Sequence, residues 1–238
     1  MVEYFKTVYN GTGCVKNSTT KSVNFNKVKY TNICGASIVT AKHLISAAHC
    51  AEKESSLLNQ IIIAGSDYPE NYGQIFDIQT VTIHPNYCPE FYIRGSLVPL
   101  NDILVIQLVE SLTFSSRVQP IPLAERDFKI PDGAMLQAMG YGETLDHDAG
   151  NELNKISIPY VEPDACERLI ATHIDKETMI CAGEIKFMNV APGDSGGPLV
   201  FNSTLVGVVS AGKPGARAAI FTRVSAFRDF IDEAIKNS

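Results

Sequence analysis

Short apolar runs recur along the chain between turn-forming residues: Ile61-Ile62-Ile63, Val81-Thr82-Ile83, Ile103-Leu104-Val105-Ile106, then 135–139 and 205–209. They are rich in β-branched residues and bounded by Gly, Pro, Asn and Asp, which predicts many short strands. Strands of this kind pack as a sandwich or a barrel. Asn202-Ser203 falls between Leu199-Val200-Phe201 and Leu205-Val206, the position of a hairpin tip. The period changes at the C-terminus. Ser225 offers an N-cap, and Phe227, Phe230, Ile231, Ala234 and Ile235 recur at i, i+3, i+4, i+7 and i+8. This predicts one amphipathic helix with its apolar face on the second half of the molecule. No repeat, low-complexity tract or flexible linker interrupts the pattern.

Composition narrows the class. A chain of 238 residues buries a sizeable core, as one large β domain or as two barrel-like halves. With 45% hydrophobic and 19% charged residues it reads as globular. No apolar run approaches the roughly 18 residues of a spanning helix, so no membrane span is expected. A net charge of −6 gives no basic footprint for nucleic acid or an anionic membrane. The six cysteines include no CxxC pair, which argues against zinc ribbons and thioredoxin-like sites and for disulfides in an oxidising compartment. Sequons at Asn10, Asn17 and Asn202 agree with a secreted glycoprotein. The opening MVEYFKTVYN has no apolar core, so a signal peptide is not expected within this chain.

The chemistry concentrates in Gly193-Asp194-Ser195-Gly196-Gly197. A nucleophilic serine needs little surrounding bulk and backbone N–H groups that face a substrate carbonyl. The spacing Gly-x-Ser-x-Gly also fits the nucleophile elbow of α/β-hydrolases, and chain order decides between them. That fold places its histidine after the serine. Here the five histidines, His43, His49, His84, His147 and His173, all precede Ser195. A subtilisin order needs an aspartate ahead of the histidine, and none precedes His49. The order His…Asp…Ser remains, with His49 in SAAHC (46–50) and Asp102 in NDILVIQL (101–108), at the mouth of a buried strand. His43, His84, His147 and His173 read as surface or structural residues.

Together SAAHC, NDILVIQL and GDSGGPLV (193–200), in this order and at these separations, resemble the three signature blocks of the chymotrypsin/trypsin-like serine protease family. The resemblance covers about residue 7 to the C-terminus. It implies an all-β fold of two packed six-stranded antiparallel Greek-key barrels with a C-terminal α-helix. The first barrel would span 7–119 with His49 and Asp102, and the second 120–238 with Ser195, the pocket and the helix. The two would form one peptidase domain, with its cleft between the barrels. The implied reaction is peptide-bond hydrolysis through an acyl-enzyme, with Ser195 as nucleophile, His49 as general base and acid, and Asp102 orienting the imidazole. Gly193 and Ser195 would donate the oxyanion-hole N–H groups. No metal or organic cofactor is implied. Protein or peptide substrates are the expected partners, with protein protease inhibitors as further candidates, acting on a monomer.

The resemblance also implies activation by cleavage after a basic residue. The best match is Lys6, leaving 1–6 as a remnant of an activation peptide and a new ammonium at Thr7 to pair with Asp194. Thr7 stands where the family has Ile, so it buries less apolar surface. The specificity pocket would be lined by Asn189, Ser210, Gly212 and Ala219. Asn189 stands where trypsin-like members carry Asp, so neutral or apolar side chains are expected in place of Lys or Arg. The family implies disulfides Cys34–Cys50 and Cys166–Cys181, leaving Cys14 and Cys88 to each other. A family cysteine before the serine motif is replaced by Ala191. A second class stays open: a catalytically weak or inactive binding protein on the same scaffold. The complete triad favours the enzyme, whereas Thr7 and the altered pocket favour the alternative. An esterase with the same triad is a third option.

Overall fold

Alternation of apolar side chains explains where the core lies. The computed structural model describes residues 13–15, 34–51, 60–67, 73–93, 96–143, 152–183, 190–212 and 217–238. In the first half, β1 (Gly13–Val15), β2 (Ser37–Ile38), β3 (His43–Ser46), β4 (Ile61–Ala64), β5 (Gln74–Ile83), β6 (Cys88–Ile93), β7 (Ser96–Leu100) and β8 (Leu104–Leu108) are all short except β5. They form a five-stranded half-barrel sheet, in order β2-β3-β8-β5-β4, and a three-stranded sheet, β1-β6-β7. The second half contains β9 (Met135–Gly140), β10 (Asn154–Val161), β11 (Met179–Gly183), β12 (Pro198–Phe201), β13 (Thr204–Ala211) and β14 (Ala218–Arg223). These six close into a barrel, as expected. Every strand pairing described is antiparallel.

Strands β3 and β8 are buried on both of their faces. Leu44, Leu104 and Ile106 enter the core of the first half with Phe76 and Leu108. Ile45, Ile103 and Val105, one residue out of phase, face the junction with the second half. There they meet Leu205 and Val208 of β13. Residues 205 and 208 share a face because a bulge interrupts the register: Leu199 pairs with Gly207 and Val200 with Leu205. The second barrel fills its interior with Leu136, Ile158, Ile180, Leu199 and Phe221. Asn202 and Ser203, at φ 47° and 60°, make the predicted hairpin tip with both central residues left-handed.

The C-terminal segment differs from expectation in two respects. Ser225 does not cap the helix. It lies within a 3-10 turn, Val224–Phe227, and the α-helix runs Arg228–Lys236 with Phe227 before it. The apolar positions are the predicted ones, but Phe227, Ile231 and Ala234 pack into the junction core against Ile45, Ala47, Ile103 and Val105 as well as Leu205 and Val208. The helix therefore fastens the second half onto the strands that lead to His49 and Asp102. Burying a Phe or Ile side chain contributes about 1.5–3 kcal/mol, so two of them make the attachment firm. Numbered in chain order, this helix is α2. The shorter α1 (Pro163–Ile170) was not predicted. Pro163 starts it, Ala171 in the left-handed region ends it, and Cys166 ties it to β11 through Cys181. Val98 of β7 packs beside Cys166 and Ile220, so the small sheet lies against the second barrel although it precedes 119 in sequence.

Candidate active site

His49 follows β3 directly, in the 3-10 turn Ala48–Ala51. Ala47 and Ala48 are fully buried, which explains the small residues of SAAHC. The Cys34–Cys50 disulfide, present as expected, anchors the turn. Asp102 is fixed at the start of β8. Asn101 before it takes a left-handed conformation at φ 52° and donates its side-chain amide to Asn86 O at 2.7 Å. Asn is among the residues that tolerate this region, and Ile103 N closes the turn onto Asn101 O at 2.9 Å.

The two side chains meet. Asp102 Oδ1 accepts the His49 backbone N–H at 2.9 Å, and Oδ2 lies 2.8 Å from His49 Nδ1. The carboxylate is 1% exposed and the imidazole 28%. A buried carboxylate needs its lone pairs satisfied. A third donor does this: Ser210 Oγ reaches Asp102 Oδ2 at 2.6 Å, and Thr222 Oγ1 holds the Asp102 backbone carbonyl at 2.8 Å. With Asp102 accepting at Nδ1, the imidazole lone pair lies on Nε2. Ser210 reaches this carboxylate because it is the bulged residue of β13, between the pairs Val209–Phe221 and Ala211–Ile220. A bulge re-aims one side chain out of the alternation. Ser210 was expected on the pocket wall; its bond to Asp102 was not foreseen, and a bulge leaves no sequence signal.

Ser195 lies in a tight loop before β12, packed on the segment that carries His49. Gly35 N donates to Ser195 O at 2.7 Å, and Ser46 Oγ donates to Gly35 O at 2.8 Å. Gly196 N bonds Val209 O at 2.8 Å, and Val209 N bonds Gly197 O at 2.9 Å. The glycines are required by this approach. A Cβ on Gly196 would collide with Ser46 Oγ and the Gly35 carbonyl, and one on Gly35 would stand 2.9 Å from Gly197 Cα. Gly193 and Gly196 also have φ of 95° and 77°. Gly35 and Ser46 thus line the backbone of Ser195 and Gly196.

Asp194 turns inward. Its Oδ1 accepts Gly142 N–H at 2.8 Å and its Oδ2 accepts Ala191 N–H at 2.9 Å. A Cβ on Gly140 or Gly142 would collide with this carboxylate. Burial pushes its pKa above the ordinary 3.8, opposed by the two N–H bonds from Ala191 and Gly142. Thr7, its expected partner, lies outside the described residues, as does Asn189 of the pocket. Of the other expected pocket residues, Gly212 and Ala219 lie together beside Val190: a Cβ on Gly212 would stand 3.1 Å from Val190 Cγ2 and 3.5 Å from Ala219 Cβ.

Cys166–Cys181 is formed as expected. Cys88 is disulfide-bonded, and β1, which carries Cys14, pairs with β6. The Cys14 side chain lies outside the described residues. The sulfurs of Cys34 and Cys50 and a ring nitrogen of His49 lie within 4.8 Å of one another. Joined in a disulfide, those sulfurs are not thiolates and do not form a metal-ligand set with the imidazole. Among the described residues no helix is long and apolar enough to cross a membrane.

Known proteins match along nearly the whole chain. The family model Trypsin matches residues 8–231. Chymase from Rattus norvegicus is 28% identical over 97% of this chain and 92% of its own length. Trypsin 5G1 from Aedes aegypti is 30% identical over 89% of this chain and 78% of its own. Vitellin-degrading protease from Bombyx mori is 31% identical over 86% and 76%. A closed six-stranded barrel joined to a half-barrel sheet, with a histidine bonded to a buried aspartate, accords with that match: the chain belongs to the trypsin family of serine proteases.

Proposed function

We propose that the protein is a serine endopeptidase acting on protein or peptide substrates through His49, Asp102 and Ser195. The observation that carries this reading is the His49–Asp102 pair, bonded at both carboxylate oxygens, with the carboxylate shielded from water. Ser195 Oγ attacks the scissile carbonyl while His49 Nε2 takes the hydroxyl proton. The carbonyl electrons move onto oxygen, where the Gly193 and Ser195 N–H groups receive the charge, an arrangement worth roughly 3–4 kcal/mol per donor. Collapse of the tetrahedral intermediate breaks the C–N bond, and His49 returns the proton to the leaving amine. Water then attacks the acyl-enzyme by the same route, releasing the acid and restoring Ser195. Asp102 fixes the imidazole tautomer and stabilises the imidazolium.

Val190, Ala219 and Gly212 offer no charge to a basic side chain, and Asn189 carries none, which supports a preference for neutral or apolar residues. Asp194, buried with two N–H bonds, is suited to receive the ammonium released at Thr7 by cleavage after Lys6. Disulfides at Cys34–Cys50 and Cys166–Cys181 support an extracellular site of action. Protein protease inhibitors are candidate partners for the same cleft. A fluorophosphonate probe tests the reading: the activated protein labels and Ser195→Ala does not. Activated protein that neither labels nor cleaves any member of a peptide library is a binding protein on this scaffold.

A further inference from the structure

We infer that Tyr141 is a positioning residue whose hydroxyl ties the backbone gripping Asp194 to the first half of the molecule and so holds the Gly193 and Ser195 N–H groups in register. This rests on the peptidase reading above. The Tyr141 hydroxyl donates to the backbone carbonyl of Ser66 at 2.5 Å, across 75 residues of sequence. Next to Ser66, Asp67 O accepts Leu153 N–H at 2.9 Å. Both flanks of the segment that leaves β9 are therefore tied to one dipeptide beyond β4. Arg117 holds the Asp67 side chain at 3.0 Å.

The position of the tie gives it a role. Tyr141 lies between Gly140 and Gly142, the two glycines that line the Asp194 carboxylate. Gly142 N–H binds Asp194 Oδ1 at 2.8 Å, and Glu143 N–H binds Pro192 O at 2.9 Å. Pro192 and Asp194 flank Gly193, so residues 142–143 anchor the peptide of the first oxyanion donor on both sides, alongside the local bonds between Asp194 and Ala191. Two glycines in three residues leave that backbone with few side-chain constraints. Tyr141 is the one side chain between them, and a part-buried phenol takes an acceptor. The Ser66 carbonyl fixes the ring, and the ring fixes the backbone on either side. The bond also runs between the half that carries His49 and the half that carries Ser195.

Tyr141→Phe deletes one oxygen and keeps the ring. Donors that act on the transition state affect kcat more than KM, so kcat should fall about three- to tenfold with KM changed less than about twofold. Amide hydrogen exchange at Gly142, Glu143 and Gly193 should quicken several-fold. Unchanged kcat with unchanged exchange at these amides overturns the inference. So does a raised KM at constant kcat, or a lower melting temperature with kcat and exchange unmoved, which marks a merely structural bond. Fluorophosphonate labelling of the unsubstituted protein is the separate check. If it fails while the exchange difference persists, the peptidase reading falls and the hydroxyl's hold on the Asp194 wall stands.

Discussion

Ser210 Oγ donates to Asp102 Oδ2 at 2.6 Å, on the same oxygen that faces His49 Nδ1. A neutral hydroxyl and an imidazole share one carboxylate oxygen, and the hydroxyl reaches it only through the bulge in β13. Ser210→Ala leaves the carboxylate buried with one donor fewer. Hydrogen bonds to charged groups contribute about 1.5–3 kcal/mol, and about 1.4 kcal/mol is tenfold in rate, so kcat/KM should fall roughly ten- to hundredfold. Asp102→Asn should cost far more, about 10⁴-fold, because the imidazole then adopts the wrong tautomer. Steady-state kinetics on one peptide substrate checks both, and an unchanged kcat/KM for Ser210→Ala would remove Ser210 from the positioning set.

Gly142 offers a steric test of the Asp194 wall. Its N–H binds the carboxylate, and a Cβ at this position would collide with the same group. Gly142→Ala forces the backbone to shift, at about 1–3 kcal/mol, which lowers the melting temperature by roughly 2–12 °C in a domain of this size. Activity should fall with it. Gly133→Ala is the comparison: Gly133 has a positive φ, 69°, but nothing lies within 4 Å of its added Cβ. It should cost only about 1–2 kcal/mol of backbone strain and leave activity unchanged. A thermal melt of both variants, with activity measured alongside, checks this.

How much of this was legible in the sequence depends on the range of each interaction. Ile103 to Ile106 announce a buried strand, and SAAHC and GDSGGPLV carry their own steric reasons in runs of small residues, so His49, Asp102 and Ser195 could be found. The stripe of Phe227, Ile231 and Ala234 shows that one helix face is buried but not what covers it, and half of what covers it is the first-half core. Ser225 looked like a cap because a 3-10 turn continues into the helix without a change in apolar spacing. Helix α1 has only eight residues, too few to establish a period, although Pro163 followed by Asp164 marks its start. Ser210 and Tyr141 owe their partners to tertiary packing at separations of 108 and 75 residues, which no local pattern encodes.

Asp194 makes stability depend on pH, with a definite sign. Its folded pKa is raised by burial above the ordinary 3.8. A carboxyl raised in the fold binds its proton more tightly there, so its contribution is complete below 3.8 and is lost as pH rises through the folded value. The chain uncleaved at Lys6 should therefore melt at lower temperature as pH rises from about 4 towards neutrality, and Asp194→Asn should flatten that slope. An ammonium at Thr7 reverses the sign, because the pair favours the charged carboxylate. Melting curves of cleaved and uncleaved protein across this range decide the matter, and parallel slopes would contradict the proposed pair.

The specificity prediction follows from the residues around Val190. Peptide-library cleavage should place neutral or apolar residues on the acyl side of the cut, with Lys and Arg at least about tenfold poorer, since a pocket without a carboxylate does not repay desolvation of a cation. Asn189→Asp should raise kcat/KM for Lys or Arg relative to an apolar residue, and the ratio of the two is the quantity to measure. A profile dominated by Lys or Arg in the unsubstituted protein would place a compensating carboxylate elsewhere in the pocket and overturn the reading.

Acid sensitivity should trace in part to His84. Its ring meets Phe227 at 5.1 Å and Phe230 at 4.9 Å, both edge-on, and its Nδ1 accepts Asn86 N–H at 3.3 Å. Burial lowers its pKa below the ordinary 6.5. A histidine depressed in the fold contributes stability above its unfolded pKa of 6.5 and loses it as pH falls through the folded value. Protonation also removes the lone pair that accepts from Asn86. The melting temperature should therefore decline as pH drops below 6.5, and His84→Leu should lose less over the same interval. His43, lowered by burial and by Lys42, contributes with the same sign, so the difference between the protein and His84→Leu isolates the His84 share. Because His84 N also bonds Ile103 O at 3.1 Å, one residue past Asp102, the same acid range should loosen the turn that presents the aspartate. Protection of the Ile103 amide that rises as pH falls, after correction for the intrinsic slowing of exchange in acid, would contradict this.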